Sequence, residues 1–233
     1  MNYLQLCKRV HLLLRTGEDA PGTAPTTVTG QVGVPAEIVQ WVAASHEDIC
    51  RLHTDWSFMR GEGELPVPSG ARIIAKSAIE VVLPEMGKLV PLARGNDEAF
   101  ILLAPDSAPE QQIEVLYVPN SRWYGTHDRL PLSTDMPRYF TVNPTGGIEF
   151  NTIADRDYTA RVMYRKVITA LDSDADEPMM DSDYHLTIVQ WAIVHYYCAS
   201  RGDVKELREK HDLILRRELT KLRNEQLPDF LIY

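Results

Sequence analysis

Apolar and polar positions divide the chain into helical ends and a strand-rich middle. Over residues 2–15, apolar side chains recur every three or four positions, which is typical of a buried helix. The same spacing predicts a second helix over about 35–55, with Pro35 at a position suited to the first turn. Two further helices are predicted near the end of the chain, one from about 182 to 201 and one that begins after Asp203.

The last of these helices has the clearest predicted boundaries. Gly202 suits the position just after a helix, and Asp203 with Glu206 three residues later resembles a capping box. Pro228 is expected to end the helix, because proline cannot continue the helical hydrogen bonding. Two charged runs, KELREK and LRRELTKLR, predict a solvated outer face opposite an apolar stripe.

The middle of the chain, residues 57–170, has the sequence pattern of short strands separated by turns. Short apolar runs such as ARIIAKSAIEVVL, KLVPLA and QIEVLYV lie between prolines and glycines. The clearest pattern is a strand over 138–142, a Pro-Gly-Gly turn, a strand over 147–151 and, after a connector, a strand over 158–168. We interpret these three strands as an antiparallel meander.

Together these patterns predict an α+β fold that is mainly α. Its core is expected to be a four-helix bundle, with a β-rich insertion containing the antiparallel meander between helices 2 and 3. The predicted domains are a helical bundle domain from residues 1–56 and 171–227, a β-rich insertion domain from 57–170, and an extended C-terminal arm from 228–233.

Composition and charge argue against three classes of protein: tight DNA binders, membrane-spanning proteins and disulfide-stabilised proteins. The 233 residues are 44% apolar and carry a formal net charge of −9. Tight non-specific binding to nucleic acid needs clustered cations, and no basic stripe is visible, so we expect no tight binding to DNA. The sequence has no run of 18 or more apolar residues, so we expect no membrane span. Three widely separated cysteines fit a reducing compartment better than a disulfide framework.

The segment ALDSDADEPMMDSDYHL, residues 170–186, is dense in carboxylates and resembles a calcium loop. A calcium loop of the EF-hand type needs glycine at its sixth position and a helix on each side. With Asp172 at the first position, Glu177 occupies the glycine position, and the preceding segment is a predicted strand. We therefore interpret the segment as a solvated hinge whose last acids, Asp181 and Asp183, with Ser182, satisfy amides at the start of the following helix and suit its positive end.

A second candidate metal site is the run SHEDICRLH. His46, Cys50 and His53 share one helical face and are residue types that bind zinc. The zinc-protease pattern requires histidine where Cys50 stands, and no fourth ligand is evident. We predict no metal here and expect Cys50 to fill core space, while a metal-binding enzyme that uses these three residues remains the alternative.

No other catalytic or cofactor-binding pattern emerges. The chain has no G-x-S-x-G elbow, no P-loop and no G-x-G-x-x-G motif after a strand. The aromatic residues of WAIVHYY have the spacing of a helical core. We therefore predict no enzyme, no catalytic residues and no cofactor.

Five segments, taken in order, carry a resemblance to a known family: TTVTGQVG, AEIVQWVAASHEDICRLHTDWSFM, MPRYFTVNPTGGIEFNTIADRDYTARVMYRK, DSDYHLTIVQWAIVHYYCASRGDV and RRELTKLRNEQLP. The chain resembles the head-to-tail adaptor proteins of tailed bacteriophages, also called connector or head-completion proteins. The resemblance implies a structural virion protein that forms a ring, commonly dodecameric, joining the portal vertex of the capsid to the tail. It implies no catalytic residues.

The same resemblance implies the partners and the location. The expected partners are further copies of the chain in a ring of twelve, the portal protein, and a downstream tail or nozzle protein, with DNA passing through the lumen. The expected location is the virion neck, after synthesis in the bacterial host cytoplasm. The alternative in the same class is another neck or tail component, a tail terminator or a stopper. The predicted helices argue against it, because those proteins are typically smaller and richer in strands.

Two segments are candidate partner interfaces. Clustered apolar side chains on a terminal arm suggest a partner surface, although the arm could equally fold back on its own bundle. The loop over residues 16–34 is long enough to reach a neighbour. The residues assigned to these interfaces are Pro228, Phe230, Leu231, Ile232 and Tyr233 of the arm, and Thr26, Thr27 and Val28 of the loop.

Overall fold

The chain divides into two compact units. A computed structural model describes residues 1–14, 22–53, 55–90, 92–94, 98–126, 133–199 and 205–227. The helical unit comprises Met1–Met59 with Ile168–Tyr233, and the sheet unit comprises Arg60–Val167. The helices are α1 (Tyr3–Leu14), α2 (Val34–Leu52), α3 (Lys76–Val82), α4 (Asn120–Thr126), α5 (His185–Ala199) and α6 (Lys205–Gln226). The strands are β1 (Arg60–Val67), β2 (Ile73–Ile74), β3 (Met86–Leu89), β4 (Leu92–Arg94), β5 (Glu98–Pro105), β6 (Ile113–Tyr117), β7 (Tyr139–Val142), β8 (Ile148–Phe150) and β9 (Tyr158–Lys166).

Helix α5 is the centre of the helical unit. It contacts α1, α2 and α6, so apolar side chains are required around most of its circumference. The amphipathic helices α1 and α2 bury single stripes against it. The resulting core includes Leu6, Val10, Ile38, Ile49, Trp56, Ile188 and Ile193.

The start of α1 is a reciprocal cap that sequence reasoning missed. The Gln5 backbone N–H donates to Asn2 Oδ1 at 2.9 Å, and the Asn2 backbone N–H donates to Gln5 Oε1 at 3.0 Å. This is a capping box with Asn and Gln as its two side chains, which satisfies amides that a helix start leaves unpaired. The signal was present in the sequence as Asn followed three residues later by Gln.

The sheet unit contains a single nine-stranded mixed sheet. Its strand order is β1-β9-β5-β6-β7-β8-β2, with β3 also paired to β9 and β4 to β5. All these pairs are antiparallel except β6 with β7, which is parallel. Its core is separate from that of the helical unit and includes Leu65, Ile79, Ile101, Leu103, Phe140, Phe150 and Val162.

The predicted fold class, a mainly α four-helix bundle with a β-rich insertion, is wrong. The described residues contain six helices and a nine-stranded sheet with its own core. Strands that are distant along the chain join into this sheet, so the middle of the chain is a second folding unit and not an appendage of a bundle. The apolar run ARIIAKSAIEVVL contributes only the two-residue strand Ile73–Ile74 to the sheet and then forms α3, which buries Ile79.

The predicted meander is also wrong in its third strand. Strands β7 and β8 form the expected antiparallel hairpin, with Phe140 opposite Phe150. Strand β9 pairs instead with β1, β3 and β5. Alternation identified β9 as a strand but carried no information on its neighbours, because period-two patterns specify faces and not partners.

Candidate protein-interaction site

The described part of the predicted interface loop is tied to the acidic segment of the same chain. Asp174 Oδ1 accepts hydrogen bonds from the Val28 backbone N–H at 2.6 Å and from Thr27 Oγ1 at 3.0 Å. Val28 is 7% exposed and belongs to the helical core, while Thr27 is half-buried and Thr26 is exposed. Of these three residues, Thr26 therefore offers the most surface to a partner.

The acidic segment is an ordered turn. Asp176 Oδ2 accepts backbone N–H bonds from Asp172 and Ser173, each 2.7 Å long. Hydrogen bonds from the Ser173 side chain, and then from these amides, lower the pKa of Asp176. The Asp176 carbonyl also accepts the Tyr3 backbone N–H at 2.7 Å at the start of α1.

The predicted capping role of Asp181 is wrong, because its side chain makes no capping hydrogen bond. Within the segment, Asp176 holds the turn together and Asp174 ties it to the loop at Thr27 and Val28. Across the described residues, no three His, Cys, Asp or Glu side chains are placed to hold one metal ion.

The Asp174→Ala variant tests this link between loop and turn. We expect the free energy of unfolding to fall by about 2 kcal/mol, because the substitution leaves the Val28 amide and the Thr27 hydroxyl without their charged acceptor. Urea unfolding followed by circular dichroism measures the change. Asp181→Ala removes the same charge without a capping bond and should change stability by less than about 0.5 kcal/mol. Equal losses in the two variants would contradict the assigned role of Asp174.

The His46, Cys50 and His53 face points into the protein. His46 Nε2 lies 3.6 Å from Cys50 Sγ and accepts the Met179 backbone N–H at 3.3 Å. The His53 ring packs edge-on against Trp56 with centroids 4.8 Å apart. Burial lowers the pKa of His46 to about 4, so this imidazole is neutral at pH 7.

A half-exposed aromatic face lies on α2 and α5; we call Trp41, Trp191, His195 and Tyr196 the aromatic face. Trp41 stacks on His195 with ring centroids 5.1 Å apart. Trp191 Nε1 donates a 2.7 Å hydrogen bond to His195 Nε2, and Asp48 Oδ2 lies 3.5 Å from the same nitrogen. These contacts fix the side chains before any partner arrives.

A pocket of about 260 Å³ opens in the aromatic face. It is lined by Glu37, Gln40, Trp41, Tyr196 and Ala199. Glu37 and Gln40 are exposed, while Trp41 and Tyr196 are half-buried. Sequence reasoning interpreted WAIVHYY as core only. The signal for a surface was the i, i+4 spacing of Trp191 and His195, which places both on one side of α5.

The outer side of α6 carries exposed positive charges, in contrast to the aromatic face. Lys210, Leu213 and Arg217 follow one another at helical spacing, and we call them the cationic face. All three are exposed, and Leu213 is 71% exposed. They lie opposite the buried stripe of α6. The cationic face therefore combines two positive charges with one exposed apolar side chain.

The sheet unit also presents apolar surface. Val81 of α3 is 82% exposed and Ile73 of β2 is 50% exposed. Isolated exposed apolar residues are ordinary, so these two alone indicate no partner. Within the described ranges, no helix combines the length and apolarity needed to cross a membrane.

A sequence model of the SU10 adaptor protein family matches residues 1–229. The chain belongs to the SU10 adaptor protein family. The resemblance to phage head-to-tail adaptors is thereby confirmed, and SU10 adaptor membership implies a virion component. A structural adaptor family also suggests a role other than enzymatic. No curated protein matches the chain.

A structural SU10 adaptor acts through the surfaces that it presents to other proteins. The arm residues Pro228, Phe230, Leu231, Ile232 and Tyr233 lie outside the described residues, as do Gly202 and Asp203 of the predicted helix boundary. The candidate contact surfaces on the described part of the helical unit are Thr26, the aromatic face and the cationic face.

Proposed function

We propose that this SU10 adaptor forms a ring of twelve copies that joins the portal vertex of the phage capsid to the tail and leaves a channel for DNA. The observation that carries the proposal is the family match over residues 1–229. The proposed partners are further copies of the chain, the portal protein and a downstream tail or nozzle protein. The proposed place of action is the virion neck, after synthesis in the bacterial host cytoplasm.

The charge of the chain supports passage of DNA without specific binding. A net charge of −9 per copy makes a ring strongly acidic, and like charges oppose binding of the phosphate backbone. A conduit benefits from this, because DNA that is not held can move through. Screening confines the effect to about 10 Å at moderate salt, so it acts only near the wall.

The C-terminal arm, residues 228–233, is proposed to dock on the portal or on a neighbouring copy. Its sequence is PDFLIY, in which four consecutive apolar residues follow one acid. A cluster of this kind favours a protein surface over water.

Electron microscopy of the purified protein, with and without the portal protein of the same phage, tests the proposed function. We expect rings of defined copy number stacked on the portal. Monodisperse protein that never associates with the portal would contradict the proposal. The number of subunits visible in end-on views tests the value of twelve separately from ring formation itself.

Deleting residues 228–233 tests the arm. If the arm docks on a partner, the deletion should leave the melting temperature of the isolated protein within about 2 °C of the wild-type value while it abolishes assembly on the portal. Differential scanning calorimetry and gel filtration with the portal measure the two effects. A large loss of melting temperature would show that the arm closes its own helical unit, and would end the docking proposal.

A further inference from the structure

The pocket in the aromatic face has the chemistry of a site for a cationic side chain. Glu37 supplies a carboxylate, while Trp41 and Tyr196 supply aromatic rings. Guanidinium groups combine planar, bidentate pairing to carboxylates with stacking on aromatic rings, so arginine suits this set better than lysine does. The pocket volume of about 260 Å³ is sufficient for such a group.

The same chain carries a matching surface. On α6, Arg217 stands one turn after Leu213, which is 71% exposed, and Lys210 stands one turn before it. Each residue of an α-helix turns by about 100°, which directs Lys210, Leu213 and Arg217 to one side. Glu206 shares that side one turn before Lys210, but the acids that follow Lys210, Asp212 and Glu218, project elsewhere around the helix, so no carboxylate lies beside Arg217 on that side. Within the described ranges, neither Arg217 nor Glu37 forms an ion pair.

We propose that Arg217 in the cationic face of one copy enters the pocket of a second copy and pairs with Glu37. This inference rests on the proposed ring and assigns its subunit contact. Leu213 then covers apolar ring surface beside the pocket, and Lys210 adds attraction to the acidic α2 side of the neighbour, where Asp48 lies.

The arrangement has the symmetry that a ring requires. The donor surface is on α6 and the acceptor surface is on α2 and α5, so each copy uses two different patches. Such heterologous contacts generate closed rings when the rotation closes, whereas a self-complementary patch stops at a dimer. Arginine, tryptophan and tyrosine are also the residue types that most often dominate interface energies.

The test is an exchange of charges in the full-length protein. Glu37→Arg and Arg217→Glu should each reduce the yield of rings on the portal of the same phage at least tenfold, measured by electron microscopy and gel filtration. The double variant with both changes restores an opposite-charge pair and should recover at least half of the wild-type yield. Circular dichroism should show all three variants folded, because both positions are exposed.

Two substitutions with the same change of charge are controls. Arg223→Glu lies on α6 but projects away from the cationic face, and Glu110→Arg lies at an exposed position in the sheet unit. Both should assemble as wild type. Single variants that assemble normally would overturn the contact. A double variant that stays defective would also overturn it, and would favour the portal protein as the occupant of the pocket. If the wild-type protein forms rings but the variants contradict the Arg217–Glu37 contact, the proposed function still stands. If the wild-type protein forms no rings, both the contact and the proposed function are contradicted.

Discussion

Trp56→Ala is expected to lower the free energy of unfolding of the helical unit by about 3–5 kcal/mol, the usual cost of truncating a buried aromatic residue. Trp56 is fully buried. Its Nε1 donates a 2.8 Å hydrogen bond to the Ile49 carbonyl, near the end of α2, and its ring contacts His53 and Phe58. Alanine would leave a cavity and an unpaired carbonyl at the same point.

Urea unfolding followed by circular dichroism at 222 nm measures this effect. The long helices all lie in the helical unit, so that signal reports mainly on its unfolding. Trp56→Phe is the matched control, because it keeps an aromatic ring in the core while it removes the N–H that donates to the Ile49 carbonyl. We expect it to cost about 1–2 kcal/mol. A loss below 1 kcal/mol in the alanine variant would contradict the assignment of Trp56 to the core.

The individual helices of the helical unit could be located from the sequence because each has a long, periodic pattern. The prediction of a helix over about 35–55 corresponds to α2 at Val34–Leu52, and Pro35 does lie in its first turn. Residues 2–15 correspond to α1 at Tyr3–Leu14. In these segments the local pattern and the final packing agree, since one stripe faces one core.

The sheet could not be assembled from the sequence because its pairings are remote. Leu65 of β1 lies opposite Ala160 of β9, and Leu103 of β5 lies on the other side of that residue. Nothing in a local window distinguishes these neighbours from β8, which precedes β9 along the chain. The seven-residue helices α3 and α4 were missed because each buries only one residue, Ile79 or Trp123, and one apolar position cannot reveal a helical repeat.

The site was predicted less well than the helices. The acidic segment was identified as a connector, but the hydrogen bonds that Asp174 accepts from Val28 and Thr27 depend on a loop 146 and 147 residues earlier in the chain. The aromatic face joins Trp41 to Trp191 and His195 across two helices, so it exists only after α2 and α5 have packed. The spacing of residues along one helix identifies only the part of the surface that this helix contributes.

Between pH 7 and pH 4, the protein is expected to lose about 3 kcal/mol of stability through His46. Burial is the main cause that lowers its pKa from 6.5 to about 4; His185 lowers it further and Glu47 partly opposes this. Between pH 6.5 and pH 4, His46 is therefore protonated in the unfolded chain but neutral in the folded chain. Stability is complete above about 6.5 and falls as the pH drops, by about 1.4 kcal/mol per unit, until the folded pKa is reached.

The structural reason is the hydrogen bond at Nε2. His46 Nε2 accepts the Met179 backbone N–H, so the ring proton of the neutral imidazole is on Nδ1. Protonation of Nε2 would break that bond inside the core. His46→Gln keeps an acceptor but does not titrate, so its stability should fall more gently from pH 6.5 to pH 4 in urea unfolding experiments. Burial also lowers the pKa of His185 and His211, which leaves a residual slope in the variant. Identical slopes in wild type and variant would show that His46 does not carry the pH dependence.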